Sequence, residues 1–362
     1  MPDWTSFKPS ALLALLALPL GLRAERAYRR LPVIPNEGES TSLHSLSIIV
    51  PARNEAHNLP ALITSLKKLK YPGQLEILVV NDHSSDCTGE IAAAWGAQVL
   101  NLDQGLPAGW QGKPYACHQG ALAAAGEWLL FTDADTIHSP MGLARAVAFA
   151  QAYHLDGLSL FIRQKTHRWW DHQALAAAFA GLFAGHHSRN HMLNGQFILI
   201  RRAAYLESGG FMAVRGEILE DVALGNFLHQ QGYRLSLLRG EDIAEVQMYS
   251  SPRQMFHGLS RLGSDALRWG RAGSVLTALF ITALMTPLIV LIGVLFRKLH
   301  WRWLPITWAT STVSLLPWTQ RFGARRLALL APIGALIVQT AAIYGLLRRL
   351  LGRGLVWKDR RV

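Results

Sequence analysis

The chain of 362 residues, half of them hydrophobic, is long enough to bury one large core or two ordinary ones. Its 36 Lys and Arg against 24 Asp and Glu give a net charge of +12, but the apolar residues gather at both ends with basic residues beside them. Lipid headgroups therefore account for the charge better than nucleic acid, which is not an expected partner, and the two cysteines, Cys87 and Cys117, exclude a disulfide scaffold and fit no metal-binding spacing.

Residues 1–35 contain the apolar run SALLALLALPLGL, followed by Arg23, Arg26, Arg29 and Arg30. The run is short for a bilayer span unless residues from Trp4 onward contribute. Strong positive charge follows it rather than preceding it, which favours an uncleaved anchor over a signal peptide. The positive-inside rule then puts the next segment in the cytoplasm; a bacterial-type cytoplasmic membrane is the expected location.

Residues 36–250 change character. LHSLSIIVPARNE reads as a strand breaking at Pro51, AHNLPALITSLKKL as a helix, and QLEILVVNDHSSDCT as a second strand. A helix over about 86–96 leads to the short strand AQVLNL, and GWQGKPYACHQGALAAA is a loop entering a helix. EWLLFTDAD is the next strand. Continuous apolar strands alternating with helices predict an α/β fold with a mostly parallel sheet covered on both faces. Ligands of such sheets gather beyond the carboxyl ends of the strands, where PARNE, NDHSSD and DAD would meet.

Residues 251–271 repeat Met255, Leu259, Leu262, Ala266 and Trp269 at helical spacing, with Arg253, Arg261 and Arg268 between them. That pattern predicts an amphipathic helix, on a membrane or on a protein core. Residues 272–347 hold two segments of span length, 272–296 and 326–347, and a weaker one between them at 303–318. Whether the weaker one crosses decides the side of the basic tail, 348–362.

Asp133 and Asp135 flank one alanine at the end of an apolar strand. Within a strand they would point to one face, opposite Ala134, and a buried charge is costly without compensation. Either the strand has ended there, or a cation lies between them. Carboxylate oxygens suit Mg2+ or Mn2+. No dinucleotide fingerprint follows the first strand and no GxxxxGK[ST] occurs, so a classical NAD site and a P-loop are excluded. Ser84, Ser85 and Asp86 also read as a helix cap. Glu220 and Asp221 open an apolar-periodic helix, where acids are favoured by free N–H groups alone. His186, His187 and His191 do not form HExxH, and zinc is not expected. The stretch WWDHQALAAAFAGLFAGHH reads as a wall for an apolar acceptor or a helix packed on the sheet.

In order, VPARNE, VVNDHSSDCT, GKPYA, FTDAD and LEDVALGNFLHQQGYR resemble the motifs of a family 2 glycosyltransferase with the GT-A nucleotide-diphospho-sugar transferase fold. NGQFILIRRAAYLESGGF, at 194–211, resembles the membrane-anchored branch that glycosylates lipophilic acceptors such as carotenoids, hopanoids or glycerolipids. The resemblance implies a nucleotide-diphosphate sugar donor, a lipophilic acceptor, surrounding membrane lipids, and Mg2+ or Mn2+ held by Asp133 and Asp135. It implies donor contacts at Pro51, Arg53, Asn54, Glu55, Asp82, Lys113 and Asp133. It makes Asp221 the general base with Glu220 beside it, and gives Gly195, Gln196, Arg268 and Trp269 as candidate acceptor or phosphate contacts. The QxxRW of processive relatives is incomplete, since Asp265 stands where its glutamine would be. Single-sugar, inverting transfer to a hydroxyl is the expectation; transfer to a polyprenyl phosphate and an inactive membrane scaffold are the alternatives.

Overall fold

The computed structural model describes residues 8–36, 43–185, 193–264, 271–354, 356–357 and 360–361. It divides into two compact units. One comprises residues 31–165 and 189–248; the other comprises 1–30, 166–188 and 249–362.

The first unit is an α/β sheet structure. Its elements are β1 (Leu46–Ala52), α2 (Leu59–Lys67), β2 (Leu75–Asn81), α3 (Thr88–Ala94), β3 (Gln98–Asn101), α4 (Gly112–Ala123), β4 (Trp128–Thr132), β5 (Thr136–His138) and α5 (Gly142–Ala152). They continue with β6 (Gly157–Gln164), β7 (Phe197–Arg201), α7 (Arg202–Ser208), α8 (Glu220–Gln230) and β8 (Leu235–Val246), while α1 and α6 belong to the other unit. The strand order is β3-β2-β1-β4-β7-β6-β8-β5. β3, β2, β1 and β4 are mutually parallel, as are β6 and β8, and β7 runs antiparallel between β4 and β6.

Both faces of the sheet are buried. Ile48, Val50 and Leu130 pack on one side with Leu62 and Val147, and Ile49, Val80 and Phe131 pack on the other with Cys117 and Tyr205. All five residues of β4 are buried, as its unbroken apolar run demands. Gly120 lets α4 approach the sheet, since a Cβ there would lie 2.5 Å from Ile49 Cγ2.

The sequence expectation that β1 breaks at Pro51 is corrected. The strand continues to Ala52 and pairs with β2 throughout. On the β4 side the ladder has already ended at Ile49, so the missing N–H of Pro51 interrupts little. β4 stops at Thr132, and Asp133 opens a turn in which its carbonyl accepts the Thr136 N–H at 3.2 Å.

The second unit is helical: α1 (Lys8–Arg29), α6 (Trp169–Gly185), α9 (Pro252–Ser264), α10 (Arg271–Leu295), α11 (Trp303–Arg321) and α12 (Ala331–Leu350). α6 is its central helix, with Ala174, Ala176, Ala177, Ala180 and Phe183 buried among α1, α10, α11 and α12. Small residues permit the close crossings. A Cβ on Gly185 would collide with Thr277 and the Gly273 carbonyl, one on Gly334 with the Gln173 carbonyl, and one on Gly21 with Ser314. Small residues at helix crossings are how membrane helices associate. Two helices among the described residues, 272–295 and 325–350, are long and apolar enough to cross a membrane; α1 falls outside that pair. In α9, Met255 and Leu259 are buried, and Phe256 meets Tyr344 of α12.

Candidate active site

The order β3-β2-β1-β4 reverses direction at β1, so the chain leaves β1, β2 and β4 along one edge beside a topological switch point. The loops after β1 and β2 are laced together. Arg53 donates from Nη1 to the carbonyl oxygens of Asp82 and His83, at 2.9 and 3.2 Å. Asn54 accepts the Ser85 N–H at Oδ1, 2.8 Å away, and its own N–H reaches Ser84 Oγ at 3.1 Å. The Glu55 N–H reaches Thr88 Oγ1 at 2.8 Å, and its carboxylate accepts the Asn58 amide at 2.7 Å. Asn54 and His83 both sit at φ 53°, the left-handed region that side chains rarely adopt, so the lacing holds strained backbone in place. Asp86 accepts N–H groups of Thr88 and Ala56, which is the capping role its sequence also allowed.

Asp82 lies within this lacework. It is 4% exposed, its N–H bonds the Ala52 carbonyl, and its Oδ1 lies 2.9 Å from His83 Nδ1. Pro51 and Ala52 bring the first loop to it. Arg53 commits its Nη1 to the loop backbone.

Lys113, in the first turn of α4, is the hub of the charged part. Its Nζ lies 2.6 Å from Asp133 Oδ1 and 3.5 Å from Glu220 Oε1. Burial opposes its charge, but the carboxylates of Asp133 and Glu220 outweigh that and hold its pKa above the usual lysine value. A lysine in a helix's first turn faces the positive end of the dipole, which is unfavourable unless acids compensate it. That misplacement was the one signal in the sequence for the pairing.

Asp221 stands in the first turn of α8. Its Oδ2 accepts the Gly195 N–H at 2.7 Å and its Oδ1 the Val222 N–H at 2.9 Å. Burial and the adjacent Glu220 carboxylate raise its pKa to about 6, against the opposing pull of Lys113 and the two N–H groups. A carboxylate poised near neutrality is suited to accept a proton.

Gly195 is positioned by a buried polar network that sequence reading missed. Ser159 Oγ donates to the Phe197 carbonyl and accepts the Asn194 N–H, both at 2.7 Å. Thr132 Oγ1 donates to the Gln196 carbonyl at 3.0 Å, and Gln164 Nε2 to Gln196 Oε1 at 2.9 Å. Gln196 is 6% exposed, so its amide is committed to holding the loop. These partners lie 32 to 64 positions apart in sequence, and the antiparallel insertion of β7 brings them together. Arg268, Trp269 and the histidines at 186, 187 and 191 lie outside the described residues.

Asp133 and Asp135 share the turn after β4 and offer hard oxygen donors. Among the described residues no group of three or more His, Cys, Asp or Glu could hold a metal ion alone. A divalent cation there would need oxygens from its ligand, as Mg2+ commonly does from phosphates. Asp133 already carries a stand-in cation, the Lys113 ammonium, so the position fits positive charge.

Residues 47–222 match the model of Glycosyl transferase family 2. A 4,4'-diaponeurosporenoate glycosyltransferase of Staphylococcus haemolyticus is 27% identical over 59% of this chain and 59% of its own length. The same-named enzyme of Staphylococcus aureus is 26% identical over 66% of this chain and 65% of its own. The chain thus spans about three-fifths of these relatives. A mannosyltransferase from Pyrobaculum calidifontis, solved with GDP-Man and Mn2+, superposes with a TM-score of 0.54 at 18% identity, covering 94% of this chain and 99% of that one. That likeness carries the fold, a GT-A architecture.

Proposed function

We propose that this chain, whose residues 47–222 match the model of Glycosyl transferase family 2, is an inverting, non-processive enzyme that moves one sugar from a nucleotide-diphosphate donor to a carotenoid-type lipophilic acceptor. The observation that carries the reading is Asp221 raised to about 6 and fixed by the Gly195 N–H beside the Lys113, Asp133 and Glu220 cluster.

In this reading the laced loops after β1 and β2 cradle the nucleoside, with Asp82 accepting a hydrogen bond from the base. Asp221 takes the proton of the acceptor hydroxyl as oxygen attacks the anomeric carbon. One displacement with one base inverts the configuration. Asp133 and Asp135 would hold Mg2+ or Mn2+, which when bound offsets the charge developing on the leaving diphosphate. Lys113 adds a second positive charge on the same side, and Glu220 orients it. The helical unit would lie in the membrane through α10 and α12, with the catalytic unit in the cytoplasm, as the basic flank after α1 supports.

The relatives' acceptor name, diaponeurosporenoate, supports a second form of the same reading. A carboxylate acceptor arrives ionised and needs no base, leaving Asp221 to orient it. The experiment is incubation of the detergent-solubilised chain with a panel of nucleotide sugars and, in separate arms, hydroxylated carotenoids, carboxylated carotenoids or a polyprenyl phosphate, with products identified by mass spectrometry. Failure to glycosylate any carotenoid while modifying polyprenyl phosphate would replace the acceptor reading.

A further inference from the structure

Lys113 touches two carboxylates with different prospects. Its Nζ is 2.6 Å from Asp133 Oδ1, an oxygen suited to a divalent ion, and 3.5 Å from Glu220 Oε1. An ammonium and a divalent ion held on one carboxylate repel each other, and the repulsion grows as they leave water. Glu220, with only 6% of its side chain exposed, offers the ammonium a second partner within reach of a side-chain rotation. Gly195 keeps the passage narrow, since a Cβ there would lie 3.1 Å from both Lys113 Nζ and Asp221 Oδ2.

We propose that Lys113 is an internal counter-ion that occupies the cation position at Asp133 until a divalent ion arrives with the nucleotide diphosphate, and that it then moves to Glu220. This rests on the metal-dependent reading above. Its consequence is ordered loading. With two carboxylates and a resident ammonium, the site resists free metal; phosphate oxygens supply the missing ligands and the negative charge that displaces Lys113. The shift of Lys113 from Asp133 into closer contact with Glu220 also brings its charge nearer the base when a donor is in place. Lys113 is thus a positioning residue whose role is visible in metal affinity as well as turnover.

The test is Mn2+ binding to the full chain in detergent, read from the electron paramagnetic resonance of free Mn2+, without nucleotide and with UDP or GDP. The wild type should bind Mn2+ weakly alone and at least about tenfold more tightly with one of the nucleotides. Lys113→Gln should bind Mn2+ alone roughly tenfold more tightly than wild type and gain much less from nucleotide. Lys113→Arg, which keeps the charge, should behave as wild type, and Asp133→Asn should lose the site in every condition. If Lys113→Gln binds free Mn2+ no more tightly than wild type while nucleotide still promotes binding in both, the handover is overturned and the metal reading stands. If wild type binds no Mn2+ with either nucleotide, the metal reading falls and the handover with it: the ammonium is then the resident cation throughout.

Discussion

The backbone N–H of Gly195 points at Asp221 Oδ2 from 2.7 Å, joining the turn before β7 to the first turn of α8 across 26 positions of sequence. One carboxylate oxygen is thereby fixed by backbone, and the other by Val222, in the first turn of its own helix. The orientation of the proposed base is set by main chain, which no surface substitution nearby can readily alter.

For a neutral hydroxyl acceptor, Asp221→Asn keeps shape and deletes basicity. Transfer should fall by about 10²–10⁴-fold, the usual contribution of a general base, with donor affinity largely kept. Single-turnover transfer beside nucleotide-sugar affinity measures both. Near-wild-type transfer to a verified hydroxyl acceptor would remove Asp221 from the base role.

The pH profile follows from the same group. Asp221 must be ionised to accept a proton and its pKa is raised to about 6, so kcat/KM should climb through pH 6 and level off above it. A flat profile between pH 5 and 8 would point to an acceptor that is already anionic.

Stability carries the opposite sign. A carboxyl whose folded pKa is raised above its ordinary 3.8 favours the folded state when protonated. Its cost therefore grows as pH rises from about 4 to 6 and stays constant above, on the order of 1 kcal/mol for a partly exposed group. Asp221→Asn should melt at a higher temperature than wild type at pH 8, with the difference gone near pH 4. Equal melting at both pH values would show that the lost N–H contacts cancel the relief, and a lower melting temperature at pH 8 that they outweigh it.

Gly195→Ala tests the positioning. The added methyl would lie 3.1 Å from both Asp221 Oδ2 and Lys113 Nζ, tighter than ordinary contact. Misplacing catalytic groups by a fraction of an ångström should lower transfer by about tenfold or more without unfolding the chain. Circular dichroism and melting temperature should stay close to wild type; wild-type turnover would show that the two side chains yield freely.

Removal of metal should silence the enzyme. Chelation of the wild type, or Asp133→Asn or Asp135→Asn, should abolish most turnover, restored in the chelated wild type by Mn2+ or Mg2+. Full activity under rigorous chelation would sink the metal assignment. On the helical side, the chain should stay with membranes through alkaline and high-salt washing, since apolar spans would hold it. Release by salt alone would defeat that view.

The alternation of apolar runs and helices carried the sheet, and the acids at strand ends carried the site edge. Periodicity and strand chemistry are local, so one chain suffices to read them. The Gly195 N–H donating to Asp221 and the Lys113 ammonium standing on Asp133 were not legible. The Gly195 contact depends on β7 being inserted antiparallel beside β4, and the Lys113 contact on the turn after β4 meeting the start of α4; neither pairing leaves a periodic trace. α6 was ambiguous for a related reason. Its alanines are apolar on every side, so the pattern could not say which neighbour they would meet, and the neighbours proved to be α1, α10, α11 and α12.

The lacing of the loops after β1 and β2 has an evolutionary consequence. Arg53, Asn54 and Ala56 on one loop each need a specific atom of the 82–86 loop, and the left-handed backbone at Asn54 and His83 depends on those contacts. A substitution that reshapes one loop strands its partners in the other. A chimera that exchanges one of the two loops should therefore need both segments from the same parent.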